Sequence, residues 1–74
     1  MRNTEKNYAK ALEKLAKNIK KARLKNQLRQ ADMIEFGFSE RYIQKLESGK
    51  YSPNLYTVHR LADTFGLELF ELFK

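Results

Sequence analysis

Cysteine is absent from the 74 residues, and tryptophan with it. No disulfide can brace the chain and no thiolate can hold a metal, while the one histidine, His59, cannot form a metal cluster by itself. β-Branched aliphatics are also scarce, with one valine and three isoleucines, which argues against a sheet. One proline and three glycines leave little material for long loops. The pattern is therefore of helices with short joints. Nothing approaches the roughly 20 apolar residues of a membrane span, and the opening "MRNTEKNYAK" lacks the apolar segment of a signal peptide. A protein without membrane contact, in a reducing cytoplasm, is the expectation.

What is abundant is positive charge. The net charge is +6, yet residues 1–25 hold nine Lys/Arg against two Glu, residues 26–50 balance four against four, and the remainder carries two basic against three acidic residues. An acidic partner is indicated. The charge excess lies at one end and says little about where a specific site would be.

Tyr8, Leu12, Leu15, Ile19 and Ala22 recur at steps of three and four, with Lys6, Lys10, Lys14, Lys17 and Lys21 opposite. This spacing predicts a long amphipathic helix over Thr4 to Lys25. Its lysine row is a solvated face or a phosphate-contacting one, the former being commoner. Arg23 differs, because it projects beside the apolar stripe. A second helix is predicted in "RQADMIEF", with Met33, Ile34 and Phe36 as its apolar contacts and Arg29 as a poor N-cap. Ser39 caps a third, in which Ile43 and Leu46 face inward, and Gly49 closes it. Asn54 caps a fourth, whose Leu55, Val58, Leu61, Ala62 and Phe65 keep the helical period. "LELFELFK" predicts a short fifth helix with more apolar residues than one core face hides, so part of it is expected to meet a partner.

With Ile43 and Leu46 inward, helical projection turns Arg41, Gln44, Lys45 and Ser48 outward and leaves Glu40 on the flank. A row of hydrogen-bonding side chains on a short helix, preceded by another helix and a tight turn at Gly37, is an arrangement suited to the major groove of DNA. Tyr42 is expected to pack beside the core, and Tyr51 and Tyr56 are either rim aromatics or contacts.

The segments "RLKNQLRQADM", "FGFS", "YIQKLESGK", "SPNL" and "RLADTFGLELFELF" stand in register and together resemble the phage-repressor-like helix-turn-helix family, the Cro and lambda-repressor (XRE) type, from about residue 15 to 73. The resemblance implies an all-α fold of five helices, here with an N-terminally extended first helix, in a single domain over residues 1–74. It implies a transcriptional regulator that binds double-stranded DNA, and because one helix covers only a short stretch of groove and the last eight residues carry surplus apolar area, a homodimer is expected. By position, Gln30, Glu40, Arg41, Gln44 and Lys45 correspond to base-reading residues, and Ser39, Lys50, Tyr51 and Asn54 to phosphate contacts. Arg23 and Glu47 correspond to a structural ion pair. For the dimer contact, the surplus apolar tail and its neighbours nominate Tyr56, Phe70 and Phe73.

Three features depart from the family pattern: Arg29 stands where Ser or Thr is common, the turn before Gly37 is one residue short, and Glu40 puts an acid at a reading position. Phe36 is expected to fill the pocket that a leucine of the longer turn would occupy. Glu40 either favours the helix N-terminus through the dipole or accepts a hydrogen bond from cytosine. No cofactor, metal, small-molecule ligand or membrane partner is indicated. Two other classes compete: a docking protein whose basic helix and apolar tail bind an acidic protein or a membrane, and an enzyme, for which no nucleophile and base arrangement or phosphate-cradling glycine loop is present.

Overall fold

A computed structural model describes residues 3–74, and all regular structure among them is helical. Asn3 opens α1 (Thr4–Lys25), its side-chain oxygen accepting the Lys6 backbone N–H at 3.0 Å. At 1.5 Å per residue, 22 residues make a rod of about 33 Å, which accounts for most of the 44 Å long axis of a molecule otherwise 24 × 20 Å. Thr4 to Ala11 are exposed throughout. The extended first helix thus overhangs the body by about two turns.

The five expected helices are three α-helices and two 3-10 segments, the second and fifth being the tighter form. Gln30–Phe36 and Leu69–Phe73 are the 3-10 segments, and α2 (Glu40–Glu47) and α3 (Leu55–Thr64) complete the chain. Short pieces bounded by turns favour the three-residue repeat, since few backbone groups remain for longer-range bonds. The Arg29 and Glu68 positions share one device: the backbone N–H is held by a carboxylate three residues on, Asp32 at 2.7 Å and Glu71 at 2.8 Å. Arg29 cannot cap with its own side chain, and Asp32 compensates by pairing with its guanidinium as well, at 2.8 Å.

All five elements supply the core, centred on Leu15, Ile19, Met33, Phe38, Ile43, Leu46, Leu61 and Leu72. Four apolar positions assigned inward roles by periodicity are exposed instead. Tyr8 lies where α1 leaves the body and is only partly covered by the loop beside it; Leu55 is at the open end of α3; Ile34 and Phe36 are displaced by the change to a three-residue period. Phe38, 2% exposed, takes the buried place expected of Phe36, which is 42% exposed.

Candidate nucleic-acid interface

α2 is short, so its ends carry much of its definition. Ser39 Oγ accepts the Tyr42 backbone N–H at 3.1 Å. That cap satisfies one of the free donors at the N-terminus while leaving the hydroxyl proton available to a further acceptor. At the other end Ser48 Oγ donates to the Lys45 carbonyl at 2.7 Å and accepts the Lys50 N–H at 3.2 Å, and Gly49 follows with φ +79°. Ser48 is outward as projected, but it is committed to closing the helix. Ile43 and Leu46 are buried; Glu40, Arg41, Gln44 and Lys45 are exposed.

The inward edge of α2 is held by charge. Arg23 Nε donates to Glu47 Oε2 at 2.7 Å and Nη2 to Oε1 at 3.0 Å, with side chains only 6% and 5% exposed. The third guanidinium nitrogen, Nη1, donates to the Leu28 carbonyl at 2.8 Å. Gln30 Nε2 reaches Glu47 Oε1 at 3.2 Å. Both carboxylate oxygens are thereby occupied, and α1, the first 3-10 segment and α2 meet at one buried cluster. Gln30 is half-buried there, directed to Glu47 by one amide proton and not standing free in front of α2.

Glu40 lies in the first turn of α2 and lines an open groove with Lys20, Arg29 and Gln30. The Arg29 guanidinium, and after it the Arg29 backbone N–H, hold the Asp32 carboxyl below its ordinary range.

Beyond α2, Lys50 is exposed and Tyr51 half-buried. Asn54 Oδ1 caps α3 by accepting the Thr57 N–H at 2.8 Å, which leaves its amide donors for an outside acceptor. Tyr42 packs against the core as expected, its ring parallel to Phe38 with centroids 6.4 Å apart and edge-on to Tyr51 at 5.8 Å. Burial, then the neighbouring Tyr51 phenol, push the Tyr42 phenol above its ordinary pKa. The Lys45 ammonium stands 4.2 Å from the Tyr51 ring centroid.

Arg60 has a part that sequence reasoning missed. From α3 its Nη2 donates to the Phe36 carbonyl at 3.1 Å, and its guanidinium lies 4.4 Å from the Phe38 ring centroid. Gly37, at φ +89°, is what admits it: a Cβ there would lie 2.7 Å from Nη2. The glycine therefore serves both the turn and the close approach of α3. No signal marked Arg60, which lies off the Leu61 and Phe65 stripe and finds its partners more than 20 residues upstream. Asn18 was likewise unremarked, and its Nδ2 donates to the Leu72 carbonyl at 2.8 Å.

Tyr56, Phe70 and Phe73 are 69%, 58% and 45% exposed. Phe73 lines an apolar groove with Tyr8, Leu12, Pro53 and Leu55; Tyr56 is not among the residues of that groove, so the three do not form one continuous hollow. The overhang is tied to the loop beside it by a hydrogen bond between the Tyr8 and Ser52 hydroxyls. Among the described residues no helix is long and apolar enough to cross a membrane, and no group of His, Cys, Asp or Glu could hold a metal ion.

Comparison with curated proteins and with solved structures finds no match. A family model described as helix-turn-helix does match, over residues 19–72, from the last third of α1 to the second 3-10 segment. That span covers the Arg23–Glu47 cluster, the Gly37 turn and all of α2. The chain belongs to the XRE-type helix-turn-helix family of DNA-binding regulators, the type of Cro and the lambda repressor.

Proposed function

We propose that this protein is a sequence-specific transcriptional regulator of the cytoplasm that lays α2 in the major groove of double-stranded DNA. The observation that carries the reading is the asymmetry of α2. Its inner row is buried and fastened to α1 by Arg23 and Glu47, whereas among the described residues no side-chain hydrogen bond or ion pair engages Glu40, Arg41, Gln44 or Lys45. Donor and acceptor side chains placed on a fixed helix and left without internal hydrogen-bond partners are suited to base edges. Arg41 faces guanine most naturally, Gln44 and Lys45 extend the row, and Glu40 accepts from cytosine or serves the helix terminus. Gln30 supports the row through Glu47 and offers its remaining amide proton at the entry to the groove.

Phosphates are met on both sides of this row. The Ser39 hydroxyl, Lys50, the Tyr51 hydroxyl and the Asn54 amide are the donors, and they set register without reading sequence. One short helix covers few base pairs, so two copies joined through Phe70 and Phe73, with Tyr56 at the edge, would engage half-sites about one helical turn, roughly 34–36 Å, apart.

The test begins with selection of bound duplexes from a random pool, followed by titration against the selected and a scrambled duplex at several salt concentrations. Arg41→Ala is expected to cost about 1–3 kcal/mol on the selected duplex and relax choice at one position. Lys50→Ala should weaken both duplexes alike and reduce the salt slope by about one. Lys10→Ala, on the overhang, should leave base preference unchanged. Equal affinity of the unaltered protein for selected and scrambled duplexes would reject the reading in favour of a docking protein. Sedimentation showing monomer alone, with and without DNA, would remove the dimer.

A further inference from the structure

Arg41 and Gln44 extend from α2 without an internal partner, whereas Lys45 has one in the face of Tyr51. A lysine is a flexible four-carbon stem ending in a strongly hydrated point charge, and it offers little directional information when free. A cation within about 6 Å of an aromatic centroid is attracted to the negative face of the ring. At 4.2 Å, Lys45 Nζ is well inside that distance. An ammonium seated on a ring still has protons directed away from it, so the contact is compatible with donation to a base.

The ring that receives Lys45 is itself held in place. Tyr42 meets Tyr51 edge-on, with an interplanar angle of 75°, and lies nearly parallel to Phe38 at 6°. Phe38 is buried and carries the Arg60 guanidinium on its ring. Three rings therefore run from the Gly37 turn, where Arg60 is bonded to the Phe36 carbonyl, to the exposed ammonium of α2. Tyr42 and Tyr51 both pack against the core, so the last ring is a fixed platform.

We propose that Tyr51 is a positioning residue for base recognition: its ring holds the Lys45 ammonium over one base pair, so discrimination there depends on an aromatic ring at position 51 and not on the hydroxyl. The inference rests on Lys45 as a base reader. It adds a second role to Tyr51, whose hydroxyl would contact phosphate and whose ring would set specificity. These roles are separable, because Phe keeps the ring and Leu keeps neither.

The experiment compares Lys45→Ala, Tyr51→Phe and Tyr51→Leu on the selected duplex and on duplexes changed at each half-site position. Lys45→Ala identifies the base pair concerned by loss of preference there. Tyr51→Leu should reduce preference at that same pair by about two- to five-fold, the range of an exposed cation–π contact, and leave other positions unchanged. Tyr51→Phe should preserve it, whatever uniform affinity it loses, and adding Tyr51→Leu to Lys45→Ala should cause no further loss at that pair. Full preference in Tyr51→Leu, or equal loss in Tyr51→Phe and Tyr51→Leu, overturns the proposal. An independent measurement uses the free protein: the Lys45 Hε resonances should be shifted upfield by the ring in the unaltered protein and Tyr51→Phe, and not in Tyr51→Leu. No upfield shift in the unaltered protein overturns the platform directly. If the shift is present but Lys45→Ala leaves every base preference intact, the base-reading role of Lys45 fails and the proposal falls with it, a result distinct from failure of the platform.

Discussion

The two 3-10 segments begin alike and end differently. Each is opened by a carboxylate that reaches back three residues to a backbone N–H, and each buries one side chain completely, Met33 in the first and Leu72 in the second. The first is then fastened on both sides. Gln30 joins the Arg23–Glu47 pair, and Arg60 holds the Phe36 carbonyl. The second is tied to α1 by the bond from Asn18 to Leu72 and leaves Phe70 and Phe73 largely outside. A shared N-terminal device thus opens a mount for α2 that is pinned on two sides in one place and a segment held by one side-chain bond in the other. The difference comes from long-range polar pins.

Removing the strongest pin should have the largest effect. Arg23→Met or Glu47→Gln leaves a buried group without its partner and is expected to cost about 3–5 kcal/mol, read by chemical denaturation. A loss under about 1 kcal/mol for both variants, the range of an exposed pair, would place the two segments on the same footing. Arg60→Met should cost less, about 1.5 kcal/mol, because a charge-assisted bond to a carbonyl is lost at a half-exposed site. Hydrogen exchange adds a sharper reading: protection should fall at Gly37 and Phe38 and remain unchanged at Leu72.

Asn18→Leu is the counterpart in the second segment. It removes one neutral hydrogen bond, with an expected cost of about 1 kcal/mol and faster exchange confined to residues 69–73. Equal disturbance of both segments would show that they are a single cooperative unit. The smallest effect concerns acid. Asp32 is depressed by Arg29, so its contribution is present above its ordinary value, near 3.8, and disappears as pH falls through the lower folded value. Asp32→Asn should therefore be less stable than the unaltered protein near neutral pH, and the two denaturation midpoints should converge as pH falls below the lowered folded value.

Much of this was legible from periodicity and caps. Ser39, Asn54 and the left-handed glycines follow from local chemistry, and Ile43 with Leu46 sufficed to orient α2. Arg23 stood out because one helical projection put a charge beside an apolar stripe. The rest depended on distance in sequence. Whether seven residues wind as α or 3-10 is decided by what their ends can bond to, and that choice moved Ile34 and Phe36 outward while Phe38 entered the core. Tyr8 kept the correct helical phase, but a stripe contains no information about where the body beneath it stops. Arg60, Asn18 and the seat of Lys45 on Tyr51 are contacts of a flexible side chain with a carbonyl or a ring elsewhere, for which pattern has no vocabulary.

Gly37 and Arg60 also bear on how this sequence is free to change. A Cβ at position 37 would push aside the guanidinium and forfeit the clamp on Phe36 and Phe38, in addition to the strain of a positive φ. Once Arg60 has been replaced, the first penalty no longer exists, and a residue tolerant of the left-handed region, such as Asn, would face only the second. The combined cost should therefore be smaller than the sum of the separate ones. In evolutionary terms the coupling runs one way: lineages that keep the arginine are expected to keep the glycine, whereas the positive φ favours glycine at position 37 with or without Arg60.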